Sequence, residues 1–208
     1  MDYLTNLQRD VLKEIGNVGS GNAATSMSKL MNQEVALNAP GLKIIPFEEV
    51  VEMLGGAETP VAANMFRIES GAPGIVFFIL SIQEADIVVK RFTNQSIFNE
   101  NNEPNELAVS ALQEFANILT GSYLSALSDF TGLKMKPSIP FTSIDMAGAV
   151  ISEGILEISQ RLDYAIVIDT VLVGKEAANQ KISGQFLFLP YPDSFSKIFH
   201  SLGIDRYE

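Results

Sequence analysis

The chain of 208 residues contains no cysteine and a single histidine, His200. The lack of cysteine excludes disulfide bonds, thiolate nucleophiles and cysteine-ligated zinc. One imidazole argues against a histidine-based catalytic triad and against a metal site built from several histidines. We expect His200, near the C-terminus, to be a surface residue.

Basic residues are scarce as well. The chain has 14 lysines and arginines against 25 aspartates and glutamates, giving a formal net charge of −11. Its basic residues are scattered, whereas nucleic-acid binding needs basic patches. The same scarcity disfavours an anionic membrane surface, while long-range attraction favours a basic partner surface. We therefore predict that the protein does not bind nucleic acid.

Long apolar runs are missing. The longest is Ile75–Leu80, which fits a buried strand and falls far short of the roughly 20 residues that cross a membrane. The first ten residues show no basic segment followed by an apolar stretch, which a secretory signal requires. We expect no membrane insertion and a cytoplasmic location.

One stretch of the chain occurs twice, at an offset of 100 residues. The first copy runs over residues 10–40 and the second over residues 110–140. Identical residues occupy matched positions: Glu14 and Glu114, Asn17 and Asn117, Gly21 and Gly121, Ser28 and Ser128, Pro40 and Pro140. Neighbours such as Lys13 and Gln113 have diverged, so the retained residues need a reason.

The hydrophobic periodicity predicts the same order of elements in both halves: helix, strand, short helix, two strands, helix. The first half reads as a helix at 4–31, strands at 34–39 and 42–45 around a Pro40-Gly41 turn, a short helix at 47–54, strands at 60–69 and 74–81, and a helix at 82–92. The second half reads as a helix at 106–130, a strand at 134–139 ended by Pro140, a helical segment at 144–158, strands at 164–173 and 181–189, and a helix at 192–202.

This pattern predicts an α+β fold with an internal two-fold pseudo-symmetric duplication, in which a mainly antiparallel sheet is flanked by helices. We expect a single domain made of two repeats, about 1–95 and 106–208. The polar segment 96–105 would link them.

Each long helix has an apolar stripe that predicts its buried face. The stripes consist of Leu12, Ile15, Gly16, Gly19, Ala23, Met27 and Leu30, and of Leu112, Phe115, Ala116, Leu119, Tyr123, Ala126, Leu127 and Phe130. Opposite the first stripe lie Asp10, Glu14, Asn17 and Gly21, within about 60° of one another at 100° per residue. We call these residues the first ridge, and Ser110, Glu114, Asn117 and Gly121 the second ridge.

Two structural explanations of the ridges stay open. Polar residues opposite an apolar stripe form the solvated face of any amphipathic helix, and the two asparagines could share a packing role at a pseudo-two-fold interface. However, asparagine is a mediocre helix former, so its return mid-helix in both copies favours a function.

The ridge chemistry suits action on another protein. An amide can orient a water molecule, and a carboxylate can accept a proton, bind a cation or pair with a lysine. Gly21 and Gly121 would let a partner approach closely. A convex ridge is a poor pocket but can enter the active site of another molecule. Phosphoryl hydrolysis fits this arrangement, because positioning and charge stabilisation supply most of its acceleration.

The spacing Asp/Ser, three residues, Glu, two residues, Asn, twenty-two residues, Pro resembles the signature of the CheC-type phosphatases of bacterial chemotaxis, which are related to CheX and FliY. Asp10, Glu14, Asn17 and Pro40 match it, as do Ser110, Glu114, Asn117 and Pro140. Nearly the whole chain is similar to that family, and to its CheC branch most of all.

The resemblance implies dephosphorylation of CheY-P, the response regulator phosphorylated on aspartate. It implies that Asn17 and Asn117 orient the attacking water and that Glu14 and Glu114 pair with the regulator's active-site lysine. Asp10, Gly21, Ser110 and Gly121 would contact the substrate protein. The chain would need no cofactor of its own, because Mg²⁺ would be held by the substrate protein.

The resemblance also implies a second partner, the receptor deamidase CheD. The short helix of the second half, matched here by 144–152, would contribute to that contact, and Asp145 is the candidate residue. Its alternative role is an ordinary N-terminal helix cap. Two rival functions remain: a non-catalytic adaptor that sequesters CheD or docks on the flagellar switch, and a purely structural pseudo-dimer.

The glycine-rich segment Gly16–Gly21 does not indicate a nucleotide site. Its spacing is neither the dinucleotide nor the P-loop pattern, and no strand precedes it. We expect Pro40 and Pro140 to be structural, fixing strand ends.

Overall fold

The computed structural model describes residues 5–32, 34–155, 164–174 and 181–204. Within these residues, the helices are α1 (Asn6–Met31), α2 (Val50–Met53, after a 3-10 turn at Phe47–Glu49), α3 (Ile82–Thr93), α4 (Glu106–Thr131), α5 (Ala147–Ile155) and α6 (Pro192–Ser201). The strands are β1 (Val35–Pro46), β2 (Pro60–Ile68), β3 (Gly74–Ser81), β4 (Phe141–Met146), β5 (Tyr164–Gly174) and β6 (Lys181–Pro190).

The strands form one sheet in the order β1-β5-β6-β3-β2-β4, and every neighbouring pair is antiparallel. This order reads the same from either edge when β1, β2 and β3 are exchanged for β4, β5 and β6. The predicted α+β fold with an internal pseudo-two-fold duplication is therefore confirmed. The repeat boundaries, about 1–95 and 106–208 with a link at 96–105, remain a prediction.

The two halves are joined by strand exchange. The first strand of each half pairs with the middle strand of the other, β1 with β5 and β4 with β2. At the centre β3 pairs with β6, again one strand from each half. Most strand pairings therefore cross from one half to the other.

Alternation along the strands sorts their side chains onto two covered faces. On β3, Val76, Phe78 and Leu80 join the larger core cluster with buried residues of α1, α3 and α4. Ile75, Phe77 and Ile79 join a second cluster with residues of α2 and α5. Both long helices thus lie on the same face of the sheet.

The close packing of α1 against α4 depends on Gly19. A Cβ added there would lie 2.5 Å from Tyr123 Cδ1 and 3.0 Å from Tyr123 Cα. The glycine therefore lets the two helices approach at backbone distance. At the matched position of α4, Leu119 is fully buried in the same core.

Two of the repeated residues have structural roles. Ser28 Oγ accepts a hydrogen bond from Val35 N (2.9 Å), and Ser128 Oγ accepts one from Met135 N (3.3 Å). In each copy the serine ties the helix end to the segment that follows. Pro40 lies where the register of β1 shifts between Asn38 and Gly41, and Pro140 directly precedes β4.

Two strand predictions are wrong. The Pro40-Gly41 pair does not turn the chain, because β1 runs unbroken from Val35 to Pro46 and absorbs the extra length as a bulge against β5. Residues 134–139 are not a strand, and β4 begins only after Pro140. Pro137 and Pro140 lack the N–H that a regular ladder needs, so this segment makes only an isolated bridge between Pro137 and Ile68.

The remaining elements match within two or three residues, apart from the helical segment predicted at 144–158. There the first residues belong to β4, the helix starts at Ala147, and 156–158 lie outside the described residues. The predicted apolar stripes are buried except at their last members. Leu30 is 45 % exposed and Phe130 is 42 % exposed.

Gly19→Ala tests the close helix contact. We expect a loss of about 1 to 3 kcal/mol of unfolding free energy, because the added methyl group overpacks the Tyr123 contact. Gly21→Ala is the matched control on the same helix, since no atom lies within 4 Å of an added Cβ there. Alanine at position 21 should stabilise the helix by up to about 1 kcal/mol. Chemical denaturation of both variants measures the difference, and equal effects would contradict the packing argument.

Candidate functional site

The two ridges lie on the exposed side of the helical layer. Asp10, Glu14, Asn17 and Gly21 are exposed, as are Ser110, Glu114 and Asn117, and Gly121 is partly exposed. The buried residues of α1 and α4 belong to one core cluster beneath them. The helical periodicity therefore placed these residues correctly, and the ridges face away from the sheet on the same side of the molecule.

The glutamates and asparagines of the ridges are not used by the fold. Within the described part of the chain, Glu14, Asn17, Glu114 and Asn117 make no hydrogen bond or ion pair through their side chains. An asparagine that held a pseudo-two-fold interface would be buried and hydrogen-bonded, because an unpaired buried amide is costly. The packing explanation of Asn17 and Asn117 therefore has no support in their surroundings.

Each of the two helices that carry the ridges begins at a capped N-terminus. Thr5 caps α1, accepting from Gln8 N (3.2 Å) while its own N–H donates to Gln8 Oε1 (3.0 Å). Asn105 caps α4 at the matched position, accepting from Leu107 N (3.0 Å). Such caps each contribute on the order of 1 kcal/mol and suppress fraying of the first turn.

Tyr123 fixes the two helices relative to the sheet. Its hydroxyl lies 2.9 Å from Ser20 Oγ on α1 and 3.4 Å from Thr170 Oγ1 on β5. Its ring packs on Phe186 of β6 with a centroid distance of 4.7 Å. Burial raises the pKa of the Tyr123 hydroxyl, against the opposing effect of the two hydrogen bonds. The phenol therefore stays neutral and links both helices to the sheet.

Open space lies behind each Glu/Asn pair. A Cβ added at Gly21 or Gly121 would meet nothing within 4 Å. Neither glycine is needed for packing, in contrast to Gly19. The sequence analysis predicted that both glycines allow close approach by a partner, and this stays a prediction.

The first positions of the two ridges differ in their surroundings. Ser110 Oγ donates to the Glu106 carbonyl within the helix (3.0 Å). Asp10 is exposed and carries a charge that Ser110 lacks. The first ridge therefore presents two carboxylates and the second ridge one.

Asp145 lies far from the ridges in the architecture. It belongs to β4, where its Oδ1 accepts a hydrogen bond from Met146 N (2.7 Å). It pairs with Val61 of β2, whose side chain belongs to the cluster under α2 and α5. Because paired residues point to the same side of a sheet, Asp145 lies on the face opposite α1 and α4. His200 ends up exposed in α6, as expected.

Two kinds of exposed apolar residue escaped the sequence reasoning. Leu7 and Leu107 lie on the ridge side of α1 and α4, and the 100-residue offset could have found them because both are leucine. Phe141, on the same strand and face as Asp145, is also exposed and lines a shallow depression with Ser143, Val150 and Glu153. No signal in the sequence distinguished it from a core aromatic residue.

Residues 5–32, 34–155, 164–174 and 181–204 hold no cluster of three or more histidine, aspartate or glutamate side chains suited to a metal ion. Among the helices that the structure describes, none combines the length and the apolar character of a membrane span.

Comparison with known proteins identifies relatives. The model of the CheC-like family matches residues 7–44 and 107–144. The chain is 40 % identical over 197 residues to the CheY-P phosphatase CheC of Bacillus subtilis, covering 94 % of each chain.

Solved structures share the fold. FliY of Thermotoga maritima superimposes with a TM-score of 0.75 at 19 % identity, covering 97 % of this chain and 98 % of that one. A chain of the CheX-CheY-BeF3-Mg²⁺ complex of Borrelia burgdorferi superimposes with a TM-score of 0.50 at 15 % identity, covering 83 % of this chain and 96 % of that one. The identity to CheC across almost the whole of both chains, with the family match in each repeat, shows that this chain belongs to the CheC-like family.

Proposed function

We propose that this protein is a phosphatase that hydrolyses the aspartyl phosphate of the phosphorylated response regulator CheY. The observation that carries the proposal is the pair of exposed Glu/Asn ridges, identical in spacing on α1 and α4 and unused by the fold. The activity that names the Bacillus subtilis relative is the same. The protein would act in the cytoplasm, where response regulators reside.

In the proposed mechanism each ridge supplies half of an active site. Asn17 or Asn117 holds a water molecule in line with phosphorus, since a neutral amide can donate and accept at once. Glu14 or Glu114, one helical turn earlier and about 4.5 Å along the axis, pairs with a lysine of the regulator. Water attack breaks the bond from phosphorus to the aspartyl oxygen and releases inorganic phosphate. The amide acts by positioning, which suits phosphoryl transfer.

Asp10, Gly21, Ser110 and Gly121 would contact the substrate protein around each Glu/Asn pair. The glycines leave room for its backbone, and Asp10 adds a charge at one site only. We assign the required Mg²⁺ to the regulator, where it would lie beside the phosphoryl group and neutralise its developing charge. The known CheX complex contains CheY, BeF3 and Mg²⁺ together, which agrees with this assignment.

Asn17→Ala with Asn117→Ala should lower the stimulated rate of phosphate loss from CheY-P by about 100-fold or more, because the water is no longer positioned. The melting temperature should stay the same or rise slightly, since alanine is a better helix former at an exposed site. Phospho-regulator lifetime and thermal unfolding measure the two effects. Each single variant shows how the activity divides between the ridges.

The rival functions make different predictions for that double variant. A structural pseudo-dimer requires a lower melting temperature with no change in rate per folded molecule. A non-catalytic adaptor requires that even the unmodified protein bind its partner without shortening the phosphate lifetime. Either result would contradict the proposed role of Asn17 and Asn117 in positioning the water.

Glu14→Gln with Glu114→Gln should act mainly on association. We expect the KM for CheY-P to rise roughly tenfold, since the charge partner of the regulator's lysine is lost. The KM of the variant should also depend less on salt than that of the unmodified protein, because salt screens an ion pair. Glu52→Gln, an exposed glutamate on α2 across the sheet, is the matched control. A loss of kcat at unchanged KM would argue against a pairing role.

A second proposed role is binding of the deamidase CheD through the edge of β4. It is favoured by an exposed aromatic residue, Phe141, beside an exposed carboxylate, Asp145, on the same face of one strand. In the first half the matched position of Asp145 is Ile45, so this surface occurs once. It lies on the sheet face opposite the ridges, so CheD and CheY-P could bind at the same time.

Asp145→Lys should weaken CheD binding at least roughly tenfold, because it reverses a charge at the contact. It should leave basal dephosphorylation of CheY-P unchanged, since the site lies across the sheet. Asp129→Lys, an exposed aspartate at the end of α4, is the matched charge control. Titration with CheD measures both variants, and unchanged affinity in Asp145→Lys would move the contact elsewhere.

A further inference from the structure

The retained residues of the repeat can now be sorted by what they do. Between positions 7 and 40, seven positions are identical in the two copies at the 100-residue offset, at residues 7, 12, 14, 17, 21, 28 and 40 of the first copy. Leu12 and Leu112 are core residues. Ser28 and Ser128 tie the helix end to the next segment, and the prolines mark strand irregularities. Glutamate, asparagine and glycine form the ridges, which leaves the leucines at 7 and 107.

Leu7 and Leu107 have no structural explanation of this kind. Their exposed fractions are 56 % and 50 %, and neither belongs to a core cluster. A single exposed leucine is ordinary. Two identical ones at matched positions, among neighbours that have changed from Asn6 to Glu106 and from Arg9 to Val109, are retained for a reason outside the core.

Their position continues the ridges. Leu7 is three residues before Asp10, which places it one turn earlier and about 60° around the helix, beside the direction of Glu14. It lies about 15 Å along the helix axis from Asn17. The helix caps at Thr5 and Asn105 hold this first turn in place, so each leucine is presented on a rigid support.

We propose that Leu7 and Leu107 are apolar docking residues for the phosphorylated receiver domain, one at the N-terminal end of each ridge. This inference rests on the proposed function for the identity of the partner. The leucine gives affinity through burial against an apolar part of the receiver surface, away from the charged phosphate site. The glutamate and asparagine of the same ridge contact the charged phosphate site. Docking and chemistry are thereby carried by different turns of one helix.

The test is binding of the full chain to a receiver activated with beryllofluoride, which mimics the acyl phosphate without being hydrolysed. Leu7→Ala with Leu107→Ala should raise the Kd about tenfold, given the apolar area lost. Leu7→Met with Leu107→Met should keep the Kd within about twofold, because methionine restores an apolar contact of similar volume.

Leu30→Ala with Phe130→Ala provides the matched control. These residues also occupy matched positions and are similarly exposed, but they differ in type, and Leu30 lies about 200° around the helix from Asp10, off the ridge. The control should bind like the unmodified protein. Equal weakening in both pairs, no weakening in the leucine pair, or a failure of methionine to rescue would overturn the proposal.

Two further measurements separate this inference from its alternatives. If sedimentation shows a dimer of the unmodified chain that the leucine variant converts to monomer, the leucines serve self-association and the proposal is wrong. Phosphate release is followed in parallel. An unmodified protein that binds the activated receiver without speeding hydrolysis would refute the phosphatase function while the leucine result still stands.

Discussion

The pairing of strands across the two halves is the constraint on which the rest of the molecule depends. Without the second half, β1 would lack β5, β2 would lack β4 and β3 would lack β6. Open strand edges with apolar faces are unstable and prone to aggregate. The strands of each half therefore depend on those of the other half, and the two ridges have a fixed relation because both long helices pack on one common sheet.

Two glycines of α1 that are only two residues apart have different surroundings. Gly19 meets Tyr123 at backbone distance, whereas Gly21, two residues later, faces open space. The two glycines have the same propensity cost in a helix but serve different ends. Gly19 allows the two helices to pack closely, and Gly21 leaves the surface beside the Glu/Asn pair without a side chain. Tyr123 then connects this helix pair to β5 and β6 through its hydroxyl and its ring.

The exposed position of the ridges and the duplicated fold could be predicted from the sequence, because the two copies of the repeat can be compared with each other. The 3.6-residue period placed Glu14 and Asn17 on the surface, as the structure shows. The repeat is the reason to predict a function for them, and that function stays a prediction. The predicted burial of the apolar stripes was wrong at their last members, Leu30 and Phe130, which are exposed. Periodicity gives the direction of a side chain, but it does not tell whether another element lies there to cover it.

The strand errors have a related cause. A Pro-Gly pair reads as a turn from local geometry, yet β5 holds both sides of it in one strand, with the irregularity accommodated as a bulge. The matched segment before Pro140 has no such regular partner and stays irregular beside β2, where Arg67 N donates to the Ser138 side chain. Which of two similar segments becomes a strand is decided by its distant partner, which local sequence does not contain.

The exchange of β1 also has a consequence for synthesis. Val35 pairs with Gly174, so β1 leaves the ribosome on the order of ten seconds before its partner at 5 to 20 residues per second. During that interval α1 is already made and can cover the apolar side of β1, because Met27 belongs to the same core cluster as Val35 and Leu37. The helix that carries the first ridge therefore also covers the apolar side of a strand that is still unpaired in the growing chain.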